Sequence, residues 1–269
     1  TTTTEPPSPW RGDQGPCQVL VPPFSSKQTK TFYTCPPKRV MIVGDSVAFT
    51  MGIEMGIDEE NWGTMLDNVS ILGCGFLVGY PVWNQARWGD GNKQCESALS
   101  TWVADVKSFK PQAVIVEMGW WDSMIHLVNG HSEELGESSY DTLLLDHMLA
   151  FIKALDVGTR PLVYFLTVPW MDPAKFPNGQ SQPAAAPAFH NEINALLAQA
   201  VKETSGTALV DVSPWITPAG KFQLDVDGAQ CRTTDGIHIY YGAPGPWIST
   251  PCGRALQEGV LSIVRQALA

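Results

Sequence analysis

The residues that could form a serine nucleophile and its activating base lie near opposite ends of the chain. Ser46 follows residues 39–44, an apolar run that is rich in β-branched residues and ends in glycine, as buried strands often do. A serine that follows a strand and begins a helix has free backbone N–H groups and lies at the positive end of the helix dipole. This position suits a nucleophile whose carbonyl adduct becomes an oxyanion.

A serine nucleophile also needs a base, and His238 is the best candidate among the five histidines. It alone has a carboxylate three residues before it in a glycine-containing turn, Asp235-Gly236-Ile237-His238. Asp235 can accept from Nδ1–H of His238, which leaves Nε2 to take the Ser46 proton. Ser46 alone fits a helix N-cap better than a nucleophile. The presence of Asp235-x-x-His238 favours the interpretation of Ser46 as a nucleophile.

The pattern of the chain between these residues predicts how they are brought together. Short apolar runs predict buried parallel strands at residues 39–44, 69–72, 113–118, 161–168 and 208–212. Segments with an apolar residue about every 3.6 positions predict helices at residues 94–107, 141–154, 188–203 and 253–268. We expect long loops at residues 130–140 and 172–187. Strands that alternate with helices predict a parallel sheet covered on both faces.

Further polar and glycine residues follow the predicted strands, at the sheet edge where ligands bind in such folds. Gly73 and Gly75 follow the second strand and allow backbone to approach a substrate oxygen closely. Trp120, Trp121 and Asp122 follow the third strand.

Alternatives remain for several of these side chains. We interpret Asp45 and Asp122 as structural carboxylates rather than catalytic ones. The tryptophans Trp120, Trp121, Trp83 and Trp88 fit sugar stacking and core packing equally well.

Charge and cysteine content narrow the class of protein. The formal net charge is −10, so the chain has no basic footprint for nucleic acid. No histidine pair has metal-ligand spacing, and we predict neither a metal nor another cofactor.

The six cysteines without C-x-x-C spacing favour disulfides between sequence neighbours, although six buried free thiols are the alternative. The predicted pairs are Cys17–Cys35, Cys74–Cys95 and Cys231–Cys252.

Gly44-Asp45-Ser46 and Asp235-x-x-His238 resemble the first and last sequence blocks of the SGNH (GDSL-type) hydrolases, over about residues 39–269. The resemblance implies an α/β fold, a flavodoxin-like three-layer α/β/α sandwich with a five-stranded parallel sheet. It also implies an acyl-enzyme on Ser46, with His238 as the base and Asp235 as its partner. The N–H groups of Ser46 and Gly73 would form the oxyanion hole, with Gly75 as the alternative to Gly73.

The chain departs from the family at the third block, where Gly-x-Asn-Asp is expected. Gly119 and Asp122 match, but Trp121 stands in place of the Asn that donates to the oxyanion. An indole has one N–H donor, so that group, another group or water replaces the amide, or the hole has two donors. We therefore expect a modest catalyst, or one suited to a different acceptor.

Three features resemble the SGNH domains fused to bacterial acyltransferase family 3 membrane proteins: this departure, Gly73-Cys74-Gly75 after the second strand, and the Thr- and Pro-rich residues 1–38. That resemblance implies O-acyl transfer, in particular O-acetyl transfer, from an acyl donor to a carbohydrate acceptor of the cell envelope. Residues 1–38 would be a linker or wrapped arm, and residues 39–269 the catalytic domain. We expect an extracytoplasmic location, tethered to a membrane domain or secreted. The alternatives are a secreted carbohydrate or lipid esterase and a non-catalytic glycan-binding module.

Overall fold

The structure, a computed structural model, describes residues 19–20, 32–33 and 37–268, apart from residues 58, 85–86, 90–92, 176–177 and 243–248. The strands are β1 (Val19–Leu20), β2 (Phe32–Tyr33), β3 (Lys38–Gly44), β4 (Thr64–Asn68), β5 (Val82–Asn84), β6 (Arg87–Gly89), β7 (Ala113–Glu117), β8 (Ile125–Val128), β9 (His131–Glu133), β10 (Leu162–Leu166), β11 (Thr207–Val210), β12 (Asp225–Val226) and β13 (Ala229–Gln230). The α-helices are α1 (Ser46–Gly56), α2 (Ala98–Phe109), α3 (Ser138–Leu155), α4 (Pro187–Glu203), α5 (Ser213–Ile216), α6 (Pro251–Leu256) and α7 (Ser262–Ala267). A π-helical turn, Gln257–Leu261, joins α6 to α7, and short 3₁₀ turns precede several elements.

The central sheet is parallel and has the strand order β11-β10-β7-β3-β4. The chain enters at β3, moves outward to β4, then crosses to β7 and continues to β10 and β11. Because parallel crossovers are right-handed, this reversal places α1 on one face and α2, α3 and α4 on the other. α6 packs on α1, while α3 packs between α2 and α4. The predicted α/β fold with a five-stranded parallel sheet is confirmed.

The reversal of strand order creates the place where a site can form. The crossovers from β3 and β7 leave the sheet toward opposite faces, so a crevice opens beyond their carboxyl ends. Gly44, the last residue of β3, pairs with Glu117, the last residue of β7. The segments that begin at Asp45 and Met118 therefore start side by side.

The second strand lies earlier than predicted, at Thr64–Asn68 instead of residues 69–72. β4 is an edge strand with Met65 exposed, so it lacks the continuous apolar run of a buried strand. The predicted segment follows it as a loop that still runs beside β3. The N–H of Val69 donates to Ile42 O at 3.1 Å, and that of Ile71 donates to Gly44 O at 2.8 Å.

A small antiparallel sheet, with the order β6-β5-β8-β9, was not predicted. Residues 130–140, expected to be a loop, contain β9 and the start of α3. These strands have three or four residues each. Segments of this length are too short to show a clear alternation of apolar and polar residues.

Two of the predicted disulfides are present among the described residues, Cys74–Cys95 and Cys231–Cys252. The first joins the loop after β4 to the segment before α2, and the second joins the segment before the Asp235 motif to α6. Cys17–Cys35 lies outside the described residues, as does nearly all of the predicted arm 1–38. That pairing and the domain boundaries remain predictions.

We predict that denatured, unreduced protein has no reactive thiol, since all six cysteines are then paired. Titration with a thiol reagent in guanidinium chloride, with reduced protein as the control, measures this directly. Two reactive thiols would mean that Cys17–Cys35 does not form. Four or six would contradict the disulfides that the structure shows.

Candidate active site

Ser46 is the first residue of α1, and the residues before it fix the turn from β3 into the helix. Asp45 is the N-cap, and its Oδ1 accepts from Val47 N at 2.7 Å. Gly44 has φ +147, and a Cβ there would lie 1.8 Å from Glu117 O. Glycine is therefore required at this position. Ser46 itself is only partly buried, so its hydroxyl remains at the edge of the sheet.

His238 and Asp235 meet Ser46 at this edge. His238 Nε2 lies 2.8 Å from Ser46 Oγ, and His238 Nδ1 lies 2.6 Å from Asp235 Oδ2. The next residue, Ile239, donates its N–H to Thr50 Oγ1 in α1 at 3.2 Å. The structure therefore brings together the three residues that the sequence singled out, in the order serine, imidazole, carboxylate.

Asp235 is held as an ionised acceptor. Its Oδ1 accepts from Thr233 Oγ1 at 2.5 Å, from Ile237 N at 2.8 Å and from His238 N at 3.1 Å. Partial burial favours the neutral acid, but the hydrogen bonds from Thr233, His238 and the backbone lower the pKa of Asp235 well below its usual value. A carboxylate in this state fixes the His238 ring with Nδ1–H directed at Asp235.

A buried arginine, which the sequence analysis missed, supports this loop. Arg232 has 0% exposed surface and donates to the carbonyl oxygens of Trp170 (2.9 Å), His238 (3.3 Å) and Ile237. Burial lowers the pKa of Arg232 to about 10, although the nearby carboxylate of Glu117 opposes that shift. The guanidinium therefore stays charged at neutral pH. In the sequence, the only indication of this role is that Arg232 is a basic residue just before the Asp235 motif.

A neighbouring loop braces the turn of the motif from outside. Gly236 has φ +77, and a Cβ there would lie 1.9 Å from Asp172 O. Asp172 N donates to Gly236 O at 2.9 Å. Glycine is thus required at position 236, both by the backbone conformation and by the close approach of Asp172 O.

Two buried carboxyl groups lie beneath the nucleophile. Burial raises the pKa of Asp45 to about 7, with the charge of Asp122 adding to the effect. Burial and the proximity of Asp45 raise the pKa of Glu117 well above its usual value. Neither side chain reaches Ser46 or His238 through a hydrogen bond among the described residues. Asp45 binds local backbone, which fits the predicted structural carboxylate.

Asp122 fixes the loop that carries the candidate oxyanion glycines. Its carboxylate, with 0% exposed surface, accepts from Phe76 N at 3.0 Å and Leu77 N at 2.9 Å. A Cβ on Gly75 would lie 2.5 Å from Asp122 Oδ1, so only glycine allows this approach. Tyr140 donates its hydroxyl to Asp122 O at 2.8 Å. Asp122 therefore acts on backbone near Gly73 and Gly75, and the choice between those glycines stays open.

The tryptophans differ in environment. Trp120 is 8% exposed and packs in the core, edge-to-face with Trp121 at a centroid distance of 4.7 Å. Trp121 is half-buried, and its indole N–H is buried without a hydrogen-bond partner among the described residues. Trp88, paired edge-to-face with Trp83 at 5.4 Å, is 40% exposed. Core packing thus accounts for Trp120, whereas Trp88 is partly exposed to solvent.

No three His, Cys, Asp or Glu side chains within the described part of the chain are grouped to hold a metal ion. None of its helices combines the length and apolar character needed to cross a membrane.

Comparisons with known proteins support the architecture. No family model and no curated protein sequence matches the chain. Solved structures do match. A GDSL-like lipase from Bacteroides thetaiotaomicron is 15% identical, with a TM-score of 0.51 over 86% of this chain and 89% of that chain. The chain has the SGNH hydrolase fold.

Two esterase structures match this SGNH hydrolase fold over a similar extent. A carbohydrate acetylesterase from Sinorhizobium meliloti is 12% identical, with a TM-score of 0.50 over 86% of this chain and 98% of that chain. The M. smegmatis aryl esterase is also 12% identical, with a TM-score of 0.50 over 86% and 99% of the two chains. At these identities the likeness concerns the fold.

We predict that protonation of Asp122 stabilises the folded protein. Burial raises the pKa of Asp122 from 3.8 to about 6, so the folded state binds this proton more tightly than the unfolded state. This stabilisation is complete below pH 3.8 and is lost as the pH rises through about 6. Between pH 7 and pH 4, wild type should gain about 2 kcal/mol of unfolding free energy relative to Asp122→Asn.

Urea unfolding of both proteins at pH 4, 5, 6 and 7 measures this difference. Asp156→Asn, at an exposed aspartate after α3, corrects for the general effect of removing an aspartate. A difference between wild type and Asp122→Asn that stays constant over this range would contradict the assignment.

Proposed function

We propose that this protein transfers O-acyl groups, in particular O-acetyl groups, through an acyl-enzyme on Ser46. The acceptor is a hydroxyl of cell-envelope carbohydrate. The observation that carries the proposal is the separation of 2.8 Å between His238 Nε2 and Ser46 Oγ, with Nδ1 held by Asp235. This is the arrangement that nucleophilic catalysis by serine requires.

The reaction follows from the order of these groups. His238 Nε2 takes the proton of Ser46 as Oγ attacks the ester carbonyl, and Asp235 stabilises the imidazolium. The N–H groups of Ser46 and of Gly73 or Gly75 donate to the tetrahedral oxyanion. Its collapse expels the alcohol, which takes the proton from His238 and leaves the acyl group on Ser46. An incoming hydroxyl then gives its proton to His238 and attacks the acyl carbonyl. The second tetrahedral intermediate collapses by breaking the bond to Oγ, and His238 returns the proton to Ser46.

The identity of the incoming hydroxyl separates transferase from esterase. If water attacks, the protein is a carbohydrate or lipid esterase, and the likeness in fold to the Sinorhizobium meliloti carbohydrate acetylesterase supports this alternative. The departure at Trp121 supports transfer through the resemblance to the acyltransferase-fused SGNH domains, since a weaker oxyanion hole alone would slow attack by water and by a sugar hydroxyl alike. A non-catalytic binding module is disfavoured by the assembled serine, imidazole and carboxylate.

The setting that we propose is extracytoplasmic, in the periplasm or at the outer face of a bacterial membrane. The disulfides Cys74–Cys95 and Cys231–Cys252 support an oxidising compartment. The acyl donor would come from a membrane acyltransferase domain linked before residue 1. The resemblance of residues 1–38 to a linker supports that partner.

With 4-nitrophenyl acetate, we predict slow turnover and accumulation of one acetyl group on Ser46. Ser46→Ala and His238→Ala should each lower kcat/KM by at least ~1000-fold, because they remove the nucleophile and its base. Product release is followed by absorbance, and the acetylated residue is identified by mass spectrometry. Ser138→Ala, at an exposed serine that also begins a helix, is the matched control and should retain wild-type turnover.

The outcomes separate the competing functions. Turnover that survives Ser46→Ala would reject the proposed nucleophile. Hydrolysis at the rate of ordinary esterases, on the order of 10–1000 per second, would favour the esterase alternative over transfer. Absence of both turnover and acetylation would favour the binding module.

A further inference from the structure

A narrow pocket lies beside the loop that carries Gly73 and Gly75, and both glycines line it together with Trp121 and His126. Its volume is about 30 Å³. A buried water molecule needs roughly 10–15 Å³, so the pocket holds two or three groups of that size. It is too small for a sugar ring but large enough for a hydroxyl or hydroxymethyl group.

His126 is one of the polar side chains that line this pocket, with Tyr80, Glu96 and Trp121. The residue lies in β8 and is 2% exposed, so its ring is buried. His126 Nδ1 lies 2.8 Å from Met124 O and 2.7 Å from Tyr140 Oη. Among the described residues, His126 Nε2 has no hydrogen-bond partner. Because the Nδ1 edge of the ring is occupied, the Nε2 edge is the one left for a ligand.

The hydrogen bonds also determine the tautomer of His126. Tyr140 donates its own proton to Asp122 O, and Met124 O is a carbonyl that can only accept. The proton between His126 and Met124 must therefore reside on Nδ1, which leaves Nε2 with a lone pair. Burial lowers the pKa of His126 to about 4, so the ring is neutral at pH 7. His126 Nε2 is then an acceptor, not a donor.

We infer that this pocket, which shares Gly73 and Gly75 with the candidate oxyanion hole, binds a hydroxyl or hydroxymethyl group of the substrate, which donates to Nε2 of His126. A neutral acceptor such as Nε2 fits a neutral hydroxyl donor. His126 thus determines the specificity for esters that carry an additional hydroxyl group. The inference deepens the proposed function and rests on it.

The test compares esters that differ by one hydroxyl. 2-Hydroxyethyl acetate and 3-hydroxypropyl acetate carry a hydroxyl where propyl acetate and butyl acetate carry a methyl group. In wild type, kcat/KM for at least one hydroxylated ester should exceed that of its methyl counterpart by roughly fivefold to tenfold, the worth of one hydrogen bond. His126→Leu, which cannot accept a hydrogen bond, should reduce this ratio to about 1.

Two further variants keep the test decisive. Glu96→Trp, at an exposed residue of the pocket rim, should reduce the ratio even if His126→Leu fails to fold. His131→Gln, at an exposed histidine of the same small sheet, should keep the wild-type ratio. A wild-type ratio near 1 for both ester pairs would overturn the inference, as would a ratio that neither His126→Leu nor Glu96→Trp changes.

A second readout does not depend on catalysis. In Ser46→Ala protein, the imidazole ¹⁵N resonances report hydrogen bonding at each ring nitrogen. We expect 1,2-ethanediol to shift the Nε2 resonance of His126 saturably, and its dimethyl ether to leave that resonance in place. A shift without Ser46-dependent turnover of any ester would retain the pocket and reject the proposed function. Ser46-dependent turnover without a shift would reject the pocket alone.

Discussion

The contact of 2.8 Å between His238 Nε2 and Ser46 Oγ joins residues 192 positions apart, and much of the structure can be understood as holding it. Ser46 is placed by the tight pairing of Gly44 with Glu117 and by the cap that Asp45 forms on α1. His238 must reach the same point from the other end of the fold. The bond from Ile239 N to Thr50 Oγ1 ties it to α1, the helix that Ser46 begins.

Buried charge is used to hold the loops around this contact. Arg232 and Asp122 are each 0% exposed and bind backbone, the first through carbonyl oxygens of the His238 loop and the second through N–H groups after Gly75. A buried charge is costly unless hydrogen bonds compensate it. Each of these residues therefore stabilises only the loop conformation in which its hydrogen bonds form. Loops specified in this way can present a nucleophile and oxyanion donors without reorganisation.

Much of this could be predicted from the sequence because the determining signals are local. The buried strands at residues 39–44, 113–118 and 161–168 lie in mainly apolar runs, and the Asp235-x-x-His238 turn has its glycine. β4 was misplaced because an edge strand needs no such run. The role of Arg232 and the tautomer of His126 could not be predicted. Both follow from contacts with other segments of the chain, which no spacing in the sequence reveals.

Activation of Ser46 by His238 can be measured by reaction with a fluorophosphonate. Such a reagent modifies a serine only when an adjacent base removes its proton. We expect one phosphonyl group per chain, located on Ser46 by mass spectrometry of peptides, and its loss in folded His238→Ala protein. Modification of a different serine, or equal labelling of Ser46 without His238, would show that His238 does not activate Ser46.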